Sequence, residues 1–306
     1  MALICAFQPV FTWIAGGVNP DGMLIAFGAV LFWLFARAFR RGLDVRTAVA
    51  IGLVLALMGL TKISALGFLP GTVLGIGLLL WRRTPPGGWF RPALAAALAA
   101  GLPVLVYTIV NRVVWGRSII PGGIGAAARG PDGKKTEEAS SFLTYLWQYV
   151  FPKVGSMTDF FQVGWTPKDF WTPLFVGRFG WMDYQFPDSV NLVAFVLYTV
   201  VAIAALVALL PRLRREWILW VIYAALTAGL VVAIARAGYP LRAGGNYLFE
   251  QTRYFLPLIA LYALSLGLAF SLLRGRALAQ VTSVMVGVSA VHLVAAFVLT
   301  VRRYYL

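Results

Sequence analysis

Seven side chains in this sequence have the types and settings to do chemistry, and each stands at the edge of a long apolar run. Asp21 lies in VNPDG, Lys62 in LTK, Arg178, Trp181 and Asp183 in FVGRFGWMDYQFP, and Arg253 and Tyr254 in EQTRYFLP. Asp21 suits a base or metal ligand facing an outer cavity. Its other reading is a helix start: Asn19 caps, Pro20 takes the first turn, and Asp21 favours the positive end of the dipole. Lys62 suits the phosphate of a membrane-embedded lipid, or simply reaches the polar boundary along its own stem. Arg253 suits a bidentate grip on phosphate, a task for a guanidinium. With Tyr254 it equally forms an interfacial anchor. Arg178, Trp181 and Asp183 combine a guanidinium, an aromatic face and a carboxylate in one turn-rich stretch. Such a set suits a sugar or an acceptor, and also suits docking on a membrane.

The elements that must position these groups are membrane spans. Sixty per cent of the residues are hydrophobic and twelve per cent charged, which no soluble core requires. Runs of about 18 or more apolar residues cross a bilayer. The chain reads as an all-α polytopic membrane protein of about nine transmembrane helices with one long extracytoplasmic loop. The expected spans are 2–18, 22–39, 47–61, 63–81, 92–113, 189–211, 217–235, 254–273 and 277–301. The connections at 37–46, 82–91, 212–216 and 274–276 carry twelve arginines against Asp44 and Glu216. The positive-inside rule makes those four connections cytoplasmic, with the N-terminus inside and the C-terminus outside. Arg302 and Arg303 lie on the wrong side in this scheme.

Charge placement narrows the function. Nine of the eleven acids fall on the outer side and none lies deep in a span. Ion-coupled transporters and pumps place ionisable groups near the bilayer centre, so that class is disfavoured. The sole histidine, His292, reads as a packed or hydrogen-bonded group rather than a relay. The net charge of +15 comes mostly from the cytoplasmic connections. It reflects topology and attraction to anionic lipid heads, not nucleic-acid binding. Cys5 is the single cysteine and forms no internal disulfide, and the start MALICAF lacks the basic region of a secretory signal.

Three parts follow: a first transmembrane block at 1–113, an extracytoplasmic segment at 114–188, and a second block at 189–306. Residues 142–186 hold fifteen aromatics, a density that favours the membrane–water boundary. SSFLTYLWQYVF is expected to form a short helix within it. The span at 47–61 would rise only about 22 Å, short of a core about 30 Å thick. Spans this short are tolerated beside protein or a cavity, so an opening is expected with Lys62 at its rim. GPDGKKTEE fails as a phosphate loop, because Ala128 replaces the first glycine and Lys135 the hydroxyl residue.

The order NPD entering a span, LTK closing a short helix, GRFGWMD before a span and QTRYFLP opening another resembles a domain-of-unknown-function family of predicted bacterial membrane proteins. That family is grouped with the GT-C glycosyltransferases. The resemblance implies a GT-C-like fold in the bacterial cytoplasmic membrane, with a polyprenyl-phosphate-linked sugar bound in an outer-leaflet groove. It implies sugar transfer to an extracytoplasmic acceptor, often with a divalent metal ion. Lys62 and Arg253 would then hold the lipid phosphate. Arg178, Trp181, Asp183 and Tyr254 would shape the sugar or acceptor site, and Asp21 would assist as an acid. Residue 1 corresponds to a position already in the family pattern's third span, so the first outer loop and its catalytic acid are expected to be missing. A protein partner supplying that loop is one expectation. Non-enzymatic transport of a lipid-linked sugar, or a role as assembly subunit of a cell-envelope complex, are the others.

Overall fold

A computed structural model describes residues 1–17, 19–83, 88–116, 139–161, 167–179, 184–243 and 251–305. Short helices α1 (Ala2–Ala6) and α2 (Pro9–Ala15) precede α3 (Pro20–Arg41), α4 (Val45–Thr61) and a 3-10 turn at Ile63–Gly67. Then come α5 (Phe68–Arg83), α6 (Phe90–Trp115), α7 (Ala139–Val150) and α8 (Pro167–Gly177). A two-stranded hairpin, β1 (Arg178–Phe179) and β2 (Tyr184–Gln185), leads into α9 (Asp188–Ala243). A 3-10 segment at Thr252–Leu258, α10 (Ile259–Phe270) and α11 (Gly275–Tyr305) close the described chain.

The protein is a multi-pass, predominantly helical membrane protein. Six described helices are long and apolar enough to cross a membrane: Pro20–Arg41, Ile63–Arg82, Phe90–Trp115, Asp188–Ala243, Thr252–Phe270 and Gly275–Tyr305. Val45–Thr61 is apolar but shorter, as its sequence indicated. The expected spans 189–211 and 217–235 fall on two helices within α9 that meet at a kink, where Glu216 leaves helical geometry (φ −117°, ψ 17°) at the arginine-rich link.

The expected first span, 2–18, is not one helix. Pro9 pushes the residue before it out of the helical region, and Gln8 accordingly adopts ψ 119°. The Gln8 Oε1 atom then accepts the Phe11 N–H at 2.6 Å, capping the new helix. Hydropathy alone reads through this break, because Gln8 is one polar residue in an apolar run.

The chain divides into two compact units, one made of Met1–Gly22, Gly164–Trp217 and Gln251–Leu306, the other of Met23–Val163 and Ile218–Glu250. In the second unit, helices approach through small residues. A β-carbon on Gly67 would lie 2.6 Å from the Gly229 carbonyl oxygen, and one on Gly229 would overlap the Gly67 carbonyl. Gly71 faces the Leu226 backbone in the same way. In lipid there is little hydrophobic force between helices, so close backbone approach and dispersion hold such contacts. Phe32 fills the adjoining space, edge-on to Phe68 and Tyr223, while the Tyr223 hydroxyl donates to the Phe32 carbonyl at 3.0 Å. Buried Tyr145 and Tyr149 of α7 pack with Phe160, Phe161 and Tyr239. Gln148 locks the chain after α7, donating to the Thr158 carbonyl (2.6 Å) and accepting from the Phe160 N–H (3.2 Å).

Gly229→Val is expected to abolish a folded, monodisperse protein in detergent, because its side chain meets backbone rather than a mobile side chain. Gly101→Ala, with nothing within 4 Å of the added carbon, should purify and melt like wild type. A normal melting curve for Gly229→Val would show that this crossing does not hold the unit.

Asp44 caps α4 through the Thr47 N–H, 2.8 Å from its Oδ1. Hydrogen bonds from the Thr47 side chain and backbone hold the carboxyl below its ordinary range, with Arg37 and Arg46 adding to the effect. A lowered folded-state value means the cap contributes fully above about pH 3.9 and fades as pH falls through the lower folded value. Asp44→Ala is expected to cost about 0.5 kcal/mol near neutrality, the low end for an exposed cap. Thermal melts of the two proteins should draw together as the pH falls below the ordinary carboxyl range; a gap unchanged in acid would count against the ionised cap.

Candidate functional site

Three local features build a polar pocket in the unit formed by Met1–Gly22, Gly164–Trp217 and Gln251–Leu306. Gly177 ends α8 with φ 155°, a conformation side chains rarely adopt, and so turns the chain into the hairpin. The hairpin pairs Arg178 with Gln185. Pro187 then starts α9, its carbonyl accepting the Val190 and Asn191 N–H groups at 3.0 and 3.2 Å. Asp188 falls in the first turn, where the helix dipole favours a carboxylate. Thr172, Arg178, Gln185, Asp188, Ser189 and Asn191 line the resulting cavity of about 510 Å³.

Its hydrogen-bonding state is unusual. Asn191 is 7% exposed, and its Nδ2 donates to the Phe186 carbonyl at 3.3 Å. That bond fixes the amide orientation and leaves Oδ1 buried without a partner. The Gln185 Oε1 atom is buried and unpartnered as well. A buried acceptor left unmade costs about 1–3 kcal/mol. Two such acceptors beside a guanidinium ask for a ligand that both donates and accepts. An ionised phosphate has no proton to offer Asn191 or Gln185; a polyol has several.

The pocket wall is tied down from both sides of α8. Gln8, nearly fully buried at the break between α1 and α2, donates through Nε2 to the Phe175 carbonyl. The Thr252 hydroxyl donates to the Leu174 carbonyl at 2.7 Å. Trp171 meets Phe255 edge-on, with ring centres 5.3 Å apart. Arg253 follows Thr252 directly, so its segment is anchored to the helix that ends just before Arg178. The Arg253 guanidinium lies 5.1 Å over the Tyr254 ring and donates to the Tyr254 hydroxyl at 3.3 Å, while its Nε is buried without a partner.

Ser189 also lines a second cavity of about 430 Å³, whose other walls are mostly apolar. Gln8, Phe186 and His292 reach it. His292 packs against Phe186 at 5.1 Å, as a lone helical histidine should, and its Nε2 is buried without a hydrogen bond. A polar chamber and an apolar one thus share a wall.

The expected site residues distribute unevenly. Arg178 lines the polar pocket. Arg253 and Tyr254 sit on the anchored 3-10 segment of the same unit. Asp21 is 3% exposed, and its N–H donates to Asn19 Oδ1 at 2.9 Å, the geometry of a helix start. Lys62 belongs to the other unit, where it ends α4 in an extended conformation with its N–H on the Met58 carbonyl. Trp181 and Asp183 lie outside the described residues. Gln185, Asp188 and Asn191 were not singled out as site residues in the sequence, although Gln185 lies within FVGRFGWMDYQFP and the Pro-Asp-Ser helix start at 187–189 follows directly. Among the described residues no three His, Cys, Asp or Glu side chains converge, and the pocket contributes one carboxylate beside a guanidinium. Asp188 with the bare Asn191 and Gln185 oxygens offers ligands of the kind a divalent ion takes, while Arg178 in the same pocket opposes one by its charge.

A family model for predicted membrane proteins, DUF2142, matches residues 1–262. The chain belongs to that family. Its matched region includes the whole polar pocket and the Arg253 segment. Neither the curated proteins nor the solved structures contain a match.

Gln8→Ala should leave the Phe11 N–H and the Phe175 carbonyl unpaired together, at about 2 kcal/mol. Gln8→Glu, which keeps the cap but sets an acceptor oxygen against the Phe175 carbonyl, is expected to melt no higher than Gln8→Ala. Equal melting of all three proteins in detergent would remove Gln8 as the tie that holds α8.

Proposed function

We propose that this protein is a GT-C-like membrane glycosyltransferase that moves a sugar from a polyprenyl-phosphate donor to an extracytoplasmic acceptor. One observation carries the reading: a pocket with two buried, unpartnered amide oxygens beside Arg178. Sugar hydroxyls donate to Asn191 and Gln185 and accept from the guanidinium. The adjoining apolar cavity, sharing Ser189, suits the lipid end of the same molecule.

In this mechanism the acceptor oxygen attacks the anomeric carbon as the bond to the lipid phosphate breaks. Asp188, the pocket carboxylate, takes the acceptor proton. Arg253 meets the charge that grows on the departing phosphate. Asp21 assists from the start of α3, and Trp181, Asp183 and Tyr254 complete the sugar and acceptor walls. No step is routed through a metal. The orientation is that of the arginine-rich connections, with the N-terminus inside, the C-terminus outside and the pocket on the outer side of the bacterial cytoplasmic membrane. A protein partner supplying a further acidic loop is compatible with the scheme.

A second reading, transport of the lipid-linked sugar without transfer, draws on the same pair of chambers. Vesicles reconstituted with the protein and a radiolabelled polyprenyl-phosphate sugar separate the two. Transfer to acceptor is expected, lowered at least about tenfold by Arg178→Ala and by Asn191→Leu. Arg253→Ala should weaken retention of the lipid phosphate itself. Movement of label between leaflets with no transfer would establish the carrier; transfer untouched by both pocket substitutions would place the chemistry elsewhere.

A further inference from the structure

The unit that carries Lys62 has a cleft of its own. About 720 Å³ opens between α4, α5 and α6, with Gly52 and Gly59 on one wall and Ala97 and Gly101 on another. Small residues make the space, and Leu69, Val73 and Leu105 at its lips are exposed. In a membrane those lips face hydrocarbon.

One lining group has no reason to be there in an empty apolar cleft. Thr72 is 2% exposed, and its Oγ1 has no hydrogen-bond partner. A buried helical threonine can satisfy its hydroxyl by donating to the carbonyl four residues back. Thr61, Thr199, Thr227 and Thr300 all do so, at 2.7, 2.8, 2.8 and 2.9 Å. Thr72 does not, and it lines the cleft instead. Its hydroxyl lacks an acceptor.

Lys62 supplies the complementary clue. It lies between Gly59 and Leu66, both of which line the cleft, at the point where α4 stops short. Thr72 follows the 3-10 turn Ile63–Gly67 and sits four residues into α5. A cation at the end of the short helix and, beyond that turn, a buried hydroxyl donor on the apolar wall give the order phosphate, ester carbonyl, acyl chain. A polyprenyl phosphate has the phosphate and the chain but no carbonyl between them.

We propose that this cleft binds an anionic, ester-linked glycerophospholipid. Its phosphate meets Lys62, an ester carbonyl accepts from Thr72, and one acyl chain lies between α4, α5 and α6. The site belongs to the other unit and does not depend on the sugar pocket.

The test titrates the delipidated full chain in detergent with dioleoyl phosphatidylglycerol, its diether analogue and dioleoyl phosphatidylcholine, reading bound lipid by native mass spectrometry. The diester should bind about fivefold tighter than the diether, the value of one neutral hydrogen bond. Thr72→Val should lower the diester to the diether level and leave the diether unchanged. Lys62→Gln should erase the preference for phosphatidylglycerol over phosphatidylcholine. Gly101→Leu, which meets nothing within 4 Å at its β-carbon, should fill the cleft and abolish binding. If that variant does not fold, the Thr72→Val comparison across the two lipids decides alone. Equal affinity for diester and diether, or a difference that survives Thr72→Val, overturns the proposal. So does a Gly101→Leu protein that keeps its lipid but loses self-association, which would make the cleft a contact between copies. Sugar transfer through the Arg178 pocket should be indifferent to Thr72→Val, so the two readings fail separately.

Discussion

Hydrocarbon offers no hydrogen-bond partners, so wherever a helix of this protein stops within a membrane, the chain itself must supply them. That constraint is visible at two interruptions. Gln8 serves both sides of the α1–α2 break, capping Phe11 and reaching the Phe175 carbonyl. Thr252 satisfies Leu174 where the 3-10 segment begins. These are single polar residues in apolar surroundings, and each replaces water that a soluble protein would use. The candidate site is the place where the accounting is left open: Asn191 has one bond made and one acceptor bare.

The same solvent explains how the second unit is packed. Lipid tails are as apolar as the side chains they touch, so large hydrophobic residues gain little by leaving lipid for a neighbouring helix. Contact must come from close fit. Gly67, Gly71 and Gly229 provide it by letting backbones meet, and Phe32, Phe68 and Tyr223 fill what remains. Where small residues are not met by a neighbour, as along Gly59 and Gly101, a cleft opens rather than a crossing. One structural device therefore yields both the scaffold and a lipid-sized space.

The proposed function rests on contrasts within one unit. The chamber at Arg178 is polar and holds unpartnered acceptors; the chamber beyond Ser189 is mostly apolar. An amphiphile is the ligand class that satisfies both. Arg253, with a buried Nε and a tyrosine under its guanidinium, is anchored through Thr252 to the helix that presents Arg178.

The multi-pass helical class, most helix limits and the arginine-rich ends followed from the sequence alone, because hydropathy and charge are local properties that the bilayer reads residue by residue. The short α4 and the helix start at Asn19–Asp21 were legible for the same reason: chain length and capping chemistry act within a few residues. Arg178 and Arg253 could be singled out as cations beside aromatics. Their surroundings could not, since Gln185, Asp188 and Asn191 gain meaning only when a hairpin and a helix start are folded against α8. The break at Gln8 was hidden because one glutamine and one proline barely alter the hydropathy of a run. Its second partner, the Phe175 carbonyl, lies 167 residues away. Tertiary structure alone decided which polar atoms were satisfied and which were left bare, because hydrogen-bond balance is a property of the groups brought together and not of any residue by itself.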